Sequence, residues 1–211
     1  MGSQLTEADI QNFFRFLYFG KYTDVVSVSM DKAYLDFNRT LRGLDKYRKE
    51  HNNNDYVAEA KIVLAESIRE LLDPKTKIQN QQAFDDWHKV TCDRLRQKFD
   101  EFPFQYGQAQ KWINMTLKYI FILDPDSVSH VYSFFHTPID NIMLEHLRPY
   151  DPPTFSSAWS QIDKYEDYFH FQLWFRGFAG NPLDNEFLLF MDKDAFLTRQ
   201  SSRPTVNSDS R

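Results

Sequence analysis

The sequence predicts an all-α protein on the basis of three observations. Apolar residues recur at every third or fourth position along most of the 211 residues, whereas the two-residue alternation of β-strands is hardly seen. Glycine is scarce, at 6 residues, and an all-β protein with many tight turns needs more of it. Aromatic residues make up 17% of the chain, which is long enough to bury a proper core. We therefore expect packed helices in one large domain or two small lobes.

Two helices are predicted before residue 50. Thr6 and Asp9 form a capping pattern at the start of the first helix, and Gly20 ends it. Asp31 is the predicted N-cap of the second helix, and apolar residues at helical spacing continue from there to Leu44. Both helices therefore have a start signal in the sequence.

The rest of the chain consists of apolar stripes separated by breaks. Residues 51–55 form a polar loop, and helices end near Asp73-Pro74, Phe102-Pro103 and Asp124-Pro125. The helices predicted between these breaks cover residues 57–71, 84–99, 107–123, 138–147, 154–175 and 182–197.

We expect these helices to form two lobes. Residues 30–148 would make a central bundle, and residues 149–199 a C-terminal lobe against which the N-terminal helix, within residues 1–29, packs. Residues 200–211 have almost nothing to bury, and they are predicted to be a disordered tail.

A single cysteine, Cys92, limits the possible classes of protein. One thiol excludes a disulfide framework, a four-cysteine zinc site and a cysteine-ligated iron–sulfur cluster. No apolar run approaches the roughly 20 residues that a membrane span requires. We expect an intracellular, cytoplasmic protein with no membrane partner, no metal and no cofactor.

The formal net charge of −5 argues against a protein that binds nucleic acid irrespective of sequence, but the charges are unevenly placed. Residues 39–49 contain five basic residues and one acidic residue, whereas residues 181–194 contain four acidic residues and one basic residue. The sequence therefore predicts a basic face on an acidic protein.

Residues 107–117 and 138–141 carry two spaced motifs. The first is G-x-A-x-K-x-x-N-x-x-L, and the second is Pro-Ile-Asp-Asn. The residues of the first motif are Gly107, Ala109, Lys111, Asn114 and Leu117. Together the motifs resemble the core of the helix-hairpin-helix (HhH-GPD) DNA glycosylase superfamily. In that superfamily a G-x-G-x-K segment enters the helix that bears the catalytic lysine, and the catalytic aspartate lies at the head of a later helix.

The resemblance implies a two-lobed helical fold with a central cleft, with Lys111 as nucleophile and Asp140 as catalytic carboxylate. It also implies that the hairpin holds DNA phosphates through main-chain N–H groups, and that a C-terminal helix forms part of a base pocket, for which Phe171 and Trp174 are candidates. The hairpin residues are Gly107, Gln108, Ala109 and Gln110. The implied partner is double-stranded DNA with a modified or damaged base, bound by a monomer.

Two groups of members bear on the substrate. Because the chain lacks cluster-binding cysteines, it looks closer to the archaeal 8-oxoguanine glycosylases than to the endonuclease III type. Glycosylases of phage defence that act on glucosylated hydroxymethylcytosine are another group of relatives to consider. The resemblance therefore implies removal of a base, without naming the base.

An amine and a carboxylate suit the breaking of a glycosidic bond. Positive charge develops on the sugar as the base leaves, and a nearby carboxylate stabilises that charge or activates the attacking group. Lysine attacks only as the neutral amine, a form that the positive end of a helix and a partly dry cleft both favour. We predict that Lys111 lies in the first turn of its helix and meets Asp140 across a groove wide enough for a nucleotide.

Each of these residues also fits a purely structural role. Thr137 as N-cap, with Asp140 in the first turn, is an ordinary helix start. Lys111 on its own could extend from its helix into water, and Phe171 and Trp174, three residues apart, could belong to the core. The spacing alone leaves both roles open.

A non-catalytic alternative also remains open. A helical DNA- or partner-binding protein could keep the same scaffold without the chemistry, and Ala109 in place of the second motif glycine supports this alternative. His88 and Cys92 lie four residues apart on one helix face, but the sequence shows no third ligand for a metal ion. We assign that pair to the core.

Overall fold

The computed structural model describes residues 5–51, 55–99, 102–178, 180–194 and 196–197, and within these ranges it is helical with no β-strand. The all-α prediction is therefore confirmed for the described part of the chain. The predicted disordered tail, residues 200–211, lies outside the described residues. In chain order the α-helices are α1 (Glu7–Phe19), α2 (Val25–Phe37), α3 (Leu44–Glu50), α4 (Tyr56–Leu72), α5 (Gln81–Gln97), α6 (Tyr106–Leu123), α7 (Pro125–Val128), α8 (Asn141–Leu147), α9 (Tyr165–Arg176) and α10 (Pro182–Met191).

Helix α6 lies at the centre of the molecule. It is buried at 14 of its 18 residues, and α2, α5 and α9 all pack against it. Trp112 is fully buried and donates its indole N–H to the main-chain oxygen of Met30 in α2, at 3.0 Å. The rings of Phe37 and Phe104 pack around this indole. A helix that is buried on every face must place its polar residues against other polar groups, and α6 carries several.

The sequence signals at the first helix are confirmed. Thr6 accepts a hydrogen bond from the main-chain N–H of Asp9, and the Asp9 carboxylate accepts the N–H of Thr6 at 2.8 Å, which completes a capping box. Gly20 ends the helix with φ of 73°, a conformation that side chains disfavour. The start and the end of this helix are thus both written in the local sequence.

The predicted second helix is wrong at both ends. Asp24, not Asp31, is the N-cap of α2, and its carboxylate accepts the main-chain N–H of Ser27 at 3.2 Å. The chain does not continue as one helix to Leu44, because a 3-10 turn at Asn38–Thr40 and a left-handed Gly43, with φ of 87°, separate α2 from α3. The apolar spacing survives these breaks, which is why periodicity alone joined the two helices.

The helix predicted over residues 154–175 is shorter than expected. Helix α9 begins at Tyr165, and the residues before it form an irregular segment with a 3-10 turn at Trp159–Gln161. Trp159 in this turn is buried against the start of α6. The apolar residues of the segment are therefore used for packing without forming a helix.

Helix α1 lies on the surface, with none of its residues buried. Its Tyr18 hydroxyl lies 3.1 Å from the Tyr119 hydroxyl of α6, and Phe19 packs edge-on against the same Tyr119 ring. These contacts place α1 against the central bundle, whereas the sequence suggested the C-terminal lobe as its partner. None of the helices in the described ranges is both long and apolar enough to span a membrane.

Candidate active site

Lys111 lies in the interior of α6. The helix begins at Tyr106, so Lys111 is in the second turn, and the prediction that it lies in the first turn is wrong. The favourable field of a helix start fades within the first turn, so the helix terminus does not account for the position of this lysine. Its side chain is only 5% exposed, which means that a neighbouring group must compensate its amine.

Asp140 supplies that compensation from the start of α8. It is the N-cap of this helix, and its Oδ1 accepts the main-chain N–H of Met143 at 2.8 Å. The structural alternative, in which Thr137 caps a longer helix and Asp140 lies in its first turn, is wrong. Thr137 is fully buried and its hydroxyl donates to Glu186 Oε2 at 3.0 Å.

The structure brings the two motif residues together. Nζ of Lys111 lies 2.5 Å from Oδ2 of Asp140, across a sequence separation of 29 residues. The two oxygens of the carboxylate thus divide their tasks, since Oδ1 caps α8 and Oδ2 binds the amine. Asp140 is 22% exposed, so the pair reaches solvent on the side of the carboxylate.

Gln110 fixes the chain just before Asp140. Its amide nitrogen donates to the main-chain oxygen of Ile139 at 2.9 Å, and its amide oxygen accepts the main-chain N–H of Ile139 at 3.2 Å. We call this pair of hydrogen bonds the Gln110 clamp. Sequence reasoning missed this role, although an uncharged polar residue beside a lysine in an otherwise apolar helix was a usable signal.

A second glutamine holds the same segment two residues earlier. Gln172 of α9 donates to the main-chain oxygen of Thr137 at 2.8 Å and accepts its N–H at 3.2 Å. We call this the Gln172 clamp. The stretch from Thr137 to Asp140 has no regular secondary structure, and the two clamps satisfy main-chain groups that would otherwise be buried without partners.

Asn114, the motif asparagine, connects the clamp to a buried polar network. Its amide nitrogen donates to Gln110 Oε1 at 3.1 Å and to the Tyr168 hydroxyl at 2.9 Å, and its oxygen lies 3.0 Å from His88 Nε2. Nδ1 of His136 lies 2.7 Å from the same Tyr168 hydroxyl. The network therefore joins α5, α6 and α9 beneath the segment that carries Asp140.

An acid and an arginine end the network on the side of α5. Asp85 lies 2.8 Å from His136 Nε2 and accepts two hydrogen bonds from Arg176. Burial alone would raise the pKa of Asp85, but the hydrogen bonds from His136 and Arg176 outweigh it and hold that pKa well below its usual range. Burial lowers the pKa of His136 to about 4, despite its hydrogen bond to Asp85.

The two histidines of the network are neutral at pH 7. Burial, reinforced by repulsion from His136, holds the pKa of His88 well below its usual value. Cys92, beside His88, is also buried, and burial raises the pKa of its thiol well above the usual range. Neither a nucleophilic thiolate nor a metal site is formed here, and the described residues contain no group of three or more side chains arranged to hold a metal ion.

The hairpin residues do not form the expected phosphate site. The N–H of Gly107 donates to the main-chain oxygen of Ile162 at 3.1 Å, and those of Gln108 and Ala109 donate to Gln105. A Cβ at position 107 would lie 1.8 Å from the Trp159 carbonyl oxygen, so this glycine serves close chain packing. All four residues, Gly107 to Gln110, are buried.

The candidates for the base pocket lie in an aromatic cluster. Phe171 is fully buried, with its ring packed against Phe155, Trp174 and Phe175. Trp174 is partly buried and packs edge-on against Phe178. Both residues therefore take the structural role that their spacing also allowed.

The predicted groove between Lys111 and Asp140 is not present, because their side chains are in direct contact. The largest surface groove among the described residues, of about 970 Å³, lies instead beside the start of α6 and is lined by Arg39, Thr40 and Gln108 among others. Gln108 lies one helical turn before Lys111 on α6. In comparisons with known proteins, no family model, no curated sequence and no solved structure matches the chain.

Proposed function

We propose that this chain is a DNA glycosylase that breaks the N-glycosidic bond of a modified or damaged base in duplex DNA. The observation that carries the proposal is the 2.5 Å contact between Lys111 Nζ and Asp140 Oδ2, which joins the two motifs of the resemblance. Two residues placed by chance 29 positions apart have no reason to meet in this way. The two-lobed fold with a cleft belongs to the same proposal.

In this mechanism Lys111 passes a proton to Asp140 and attacks C1′ of the deoxyribose as a neutral amine. The bond between C1′ and the base breaks, and the base leaves with the electron pair and takes up a proton. Loss of the second proton from the lysine nitrogen, as the sugar ring opens, gives a Schiff base. If Asp140 activates water instead, the same bond breaks without a covalent intermediate.

The partly exposed carboxylate sets the direction from which the substrate arrives. A base inside a duplex is out of reach of a nearly buried amine, so the nucleotide must leave the stack and approach on the side of Asp140. The substrate classes to compare are oxidised, alkylated and deaminated bases, as in repair, and glucosylated hydroxymethylcytosine, as in antiviral defence.

The test is borohydride trapping on duplexes that carry each class of base. Wild-type protein should form a covalent adduct with one class, and Lys111→Ala should lose it. Lys118→Ala is the matched control, because Lys118 lies two turns further along the same helix and pairs with Glu186 at the same 2.5 Å distance. Base release without trapping would assign the reaction to Asp140 and water, and no release from any duplex at protein excess would refute the proposal.

One observation favours a second function, that of a non-catalytic helical DNA- or partner-binding protein. Lys111 is almost fully buried, and the linings of the three surface grooves found among the described residues contain neither Lys111 nor Asp140. On this alternative the pair only holds α8 against α6. Duplex binding that is unchanged in Lys111→Ala, combined with no base release, would support it.

A further inference from the structure

The largest groove of the described surface has the composition of a site for a nucleic-acid backbone. Its volume is about 970 Å³, and its walls come from the corner after α2, the start of α6 and the irregular segment before α9. Serine and threonine hydroxyls and glutamine amides make up most of its polar lining. These are the neutral side chains that hydrogen-bond phosphate and sugar oxygens in protein–DNA complexes.

The groove also carries two arginines. Arg39 and Arg42 are both exposed, and within the described part of the chain neither forms an ion pair. The other cations of this basic stretch behave differently, since Lys46 pairs with Glu50 and Arg48 with Asp55. An arginine without an acidic partner keeps its planar fork of N–H donors available for a phosphate.

Both walls of the groove are fastened to α6. The Gln108 amide donates to the main-chain oxygen of Thr40 at 3.2 Å and to its hydroxyl at 3.1 Å, which fixes the wall that carries the arginines. The opposite wall is fixed by the hydrogen bond from Gly107 to Ile162. A groove that is already ordered loses little conformational entropy when a ligand binds.

We propose that this groove binds the sugar–phosphate backbone of a DNA strand, with Arg39 and Arg42 contacting successive phosphates. The proposal rests on the proposed glycosylase function for the choice of DNA, and it supplies the backbone contact that the closed hairpin does not provide. The volume far exceeds that of one phosphate ion, and the lining is too polar for an apolar helix of a partner protein.

The position of the groove links it to the candidate active site. Gln108 lines the groove, and Lys111 lies three residues further along α6, about 4.5 Å along the helix axis at 1.5 Å per residue. A strand seated in the groove would therefore run past the start of α6 and beside the Lys111–Asp140 pair.

The experiment measures binding of a labelled, unmodified duplex to the full chain by fluorescence anisotropy, from low to moderate salt. Arg39→Ala with Arg42→Ala should weaken binding by about tenfold or more at low salt, and the slope of log K against log salt should fall by about 2 because two phosphate contacts are lost. The matched control is Lys75→Ala with Lys77→Ala, two exposed cations outside the groove whose loss changes the net charge equally.

A variant that adds affinity guards against loss of the fold as the explanation. Asp163 lines the groove and repels phosphate, so Asp163→Asn should tighten binding severalfold. An acidic protein partner would respond to the same substitutions, and the proposal is overturned if such a peptide competes with the duplex while the duplex itself binds equally well to the double-arginine variant.

The two proposals fail in different ways. Loss of duplex binding in the arginine variant, with no base release from any substrate by wild type, leaves the groove assigned and removes the glycosylase. Base release with equal duplex binding by the arginine variant and the lysine control leaves the glycosylase and removes the groove. A wild-type chain that binds no duplex at low salt removes both.

Discussion

Helix α6 carries two lysine–carboxylate pairs, and they differ in which partner is buried. In the first pair Lys111 is 5% exposed and Asp140 22%, whereas in the second Lys118 is 17% exposed and Glu186 only 4%. The distance between nitrogen and oxygen is 2.5 Å in both. The same ion pair, two turns apart on one helix, is thus turned inside out.

The second pair has the character of a structural contact. Glu186 uses its other oxygen to accept the Thr137 hydroxyl at 3.0 Å, so both oxygens are occupied deep in the protein. Asp140 uses its other oxygen only to cap α8, close to solvent. The comparison shows that the Lys111 pair alone presents its carboxylate to an incoming molecule, and every prediction below tests that difference.

The largest difference should appear in catalysis. Asp140→Asn keeps the helix cap, since asparagine caps as well as aspartate, but it cannot take up a proton. Base release in single-turnover assays should fall by about 10²–10⁴-fold, the usual contribution of a general acid or base. Glu186→Gln, which also exchanges a carboxylate for an amide, should retain the rate, and a comparable loss in both variants would contradict the assignment.

The next difference concerns the free energy of unfolding. Asp140→Ala removes the cap and leaves Lys111 buried without a partner, at a cost of about 3–5 kcal/mol. Glu186→Ala should cost less, because Lys118 is nearer the surface and can extend its amine into water. Denaturant unfolding of both variants measures this, and a larger loss in Glu186→Ala would show that the exposure of the lysine does not decide the outcome.

A smaller effect should separate the two glutamine clamps. Gln110→Met and Gln172→Met each leave one buried N–H and one buried C=O without partners, which should lower the free energy of unfolding by about 2–4 kcal/mol in either case. Gln110 holds Ile139, directly before Asp140, whereas Gln172 holds Thr137. Gln110→Met should therefore also lower the rate of base release at full substrate saturation.

That experiment has its control built in. Gln172→Met has a similar loss of stability and should keep the rate at temperatures where both variants are folded. Equal rates in the two variants would mean that the Gln110 clamp has no positioning role for Asp140.

The sequence went furthest where local signals coincided with tertiary structure. The capping box at Thr6 and the left-handed Gly20 depend on neighbouring residues only, and both were predicted. The meeting of Lys111 and Asp140 followed from a resemblance, because no local rule brings two residues together across 29 positions.

What the sequence could not give depends on contacts made far along the chain. The closing of the hairpin depends on Trp159 approaching Gly107, and the helix that starts at Asp140 rather than Thr137 depends on Gln110 and Glu186 claiming the residues before it. Gln110 was assigned to DNA phosphates because its position matched a motif. Its buried surroundings, which give it a different role, are not visible in a single sequence.

The smallest effect, in the pH dependence of stability, tests whether either ion pair accounts for acid sensitivity. His136 faces Asp85, Arg176, Tyr168 and His88, and its pKa in the folded protein is about 4, below the value of 6.5 for a free side chain. The unfolded chain therefore binds a proton first as the pH falls. This histidine should leave stability intact above pH 6.5 and lower it by about 3 kcal/mol between pH 6.5 and 4.

His136→Gln should flatten that part of the pH profile, and His170→Gln, which changes an exposed histidine of α9, should not. The measurement is the denaturant midpoint at several pH values between 7 and 4, with tertiary structure followed by near-ultraviolet circular dichroism. A profile unchanged in His136→Gln would transfer the acid sensitivity to the carboxylates of the two ion pairs. Asp140→Asn and Glu186→Gln would then show which pair carries it, because only the pair that depends on its charge for stability would lose its pH dependence.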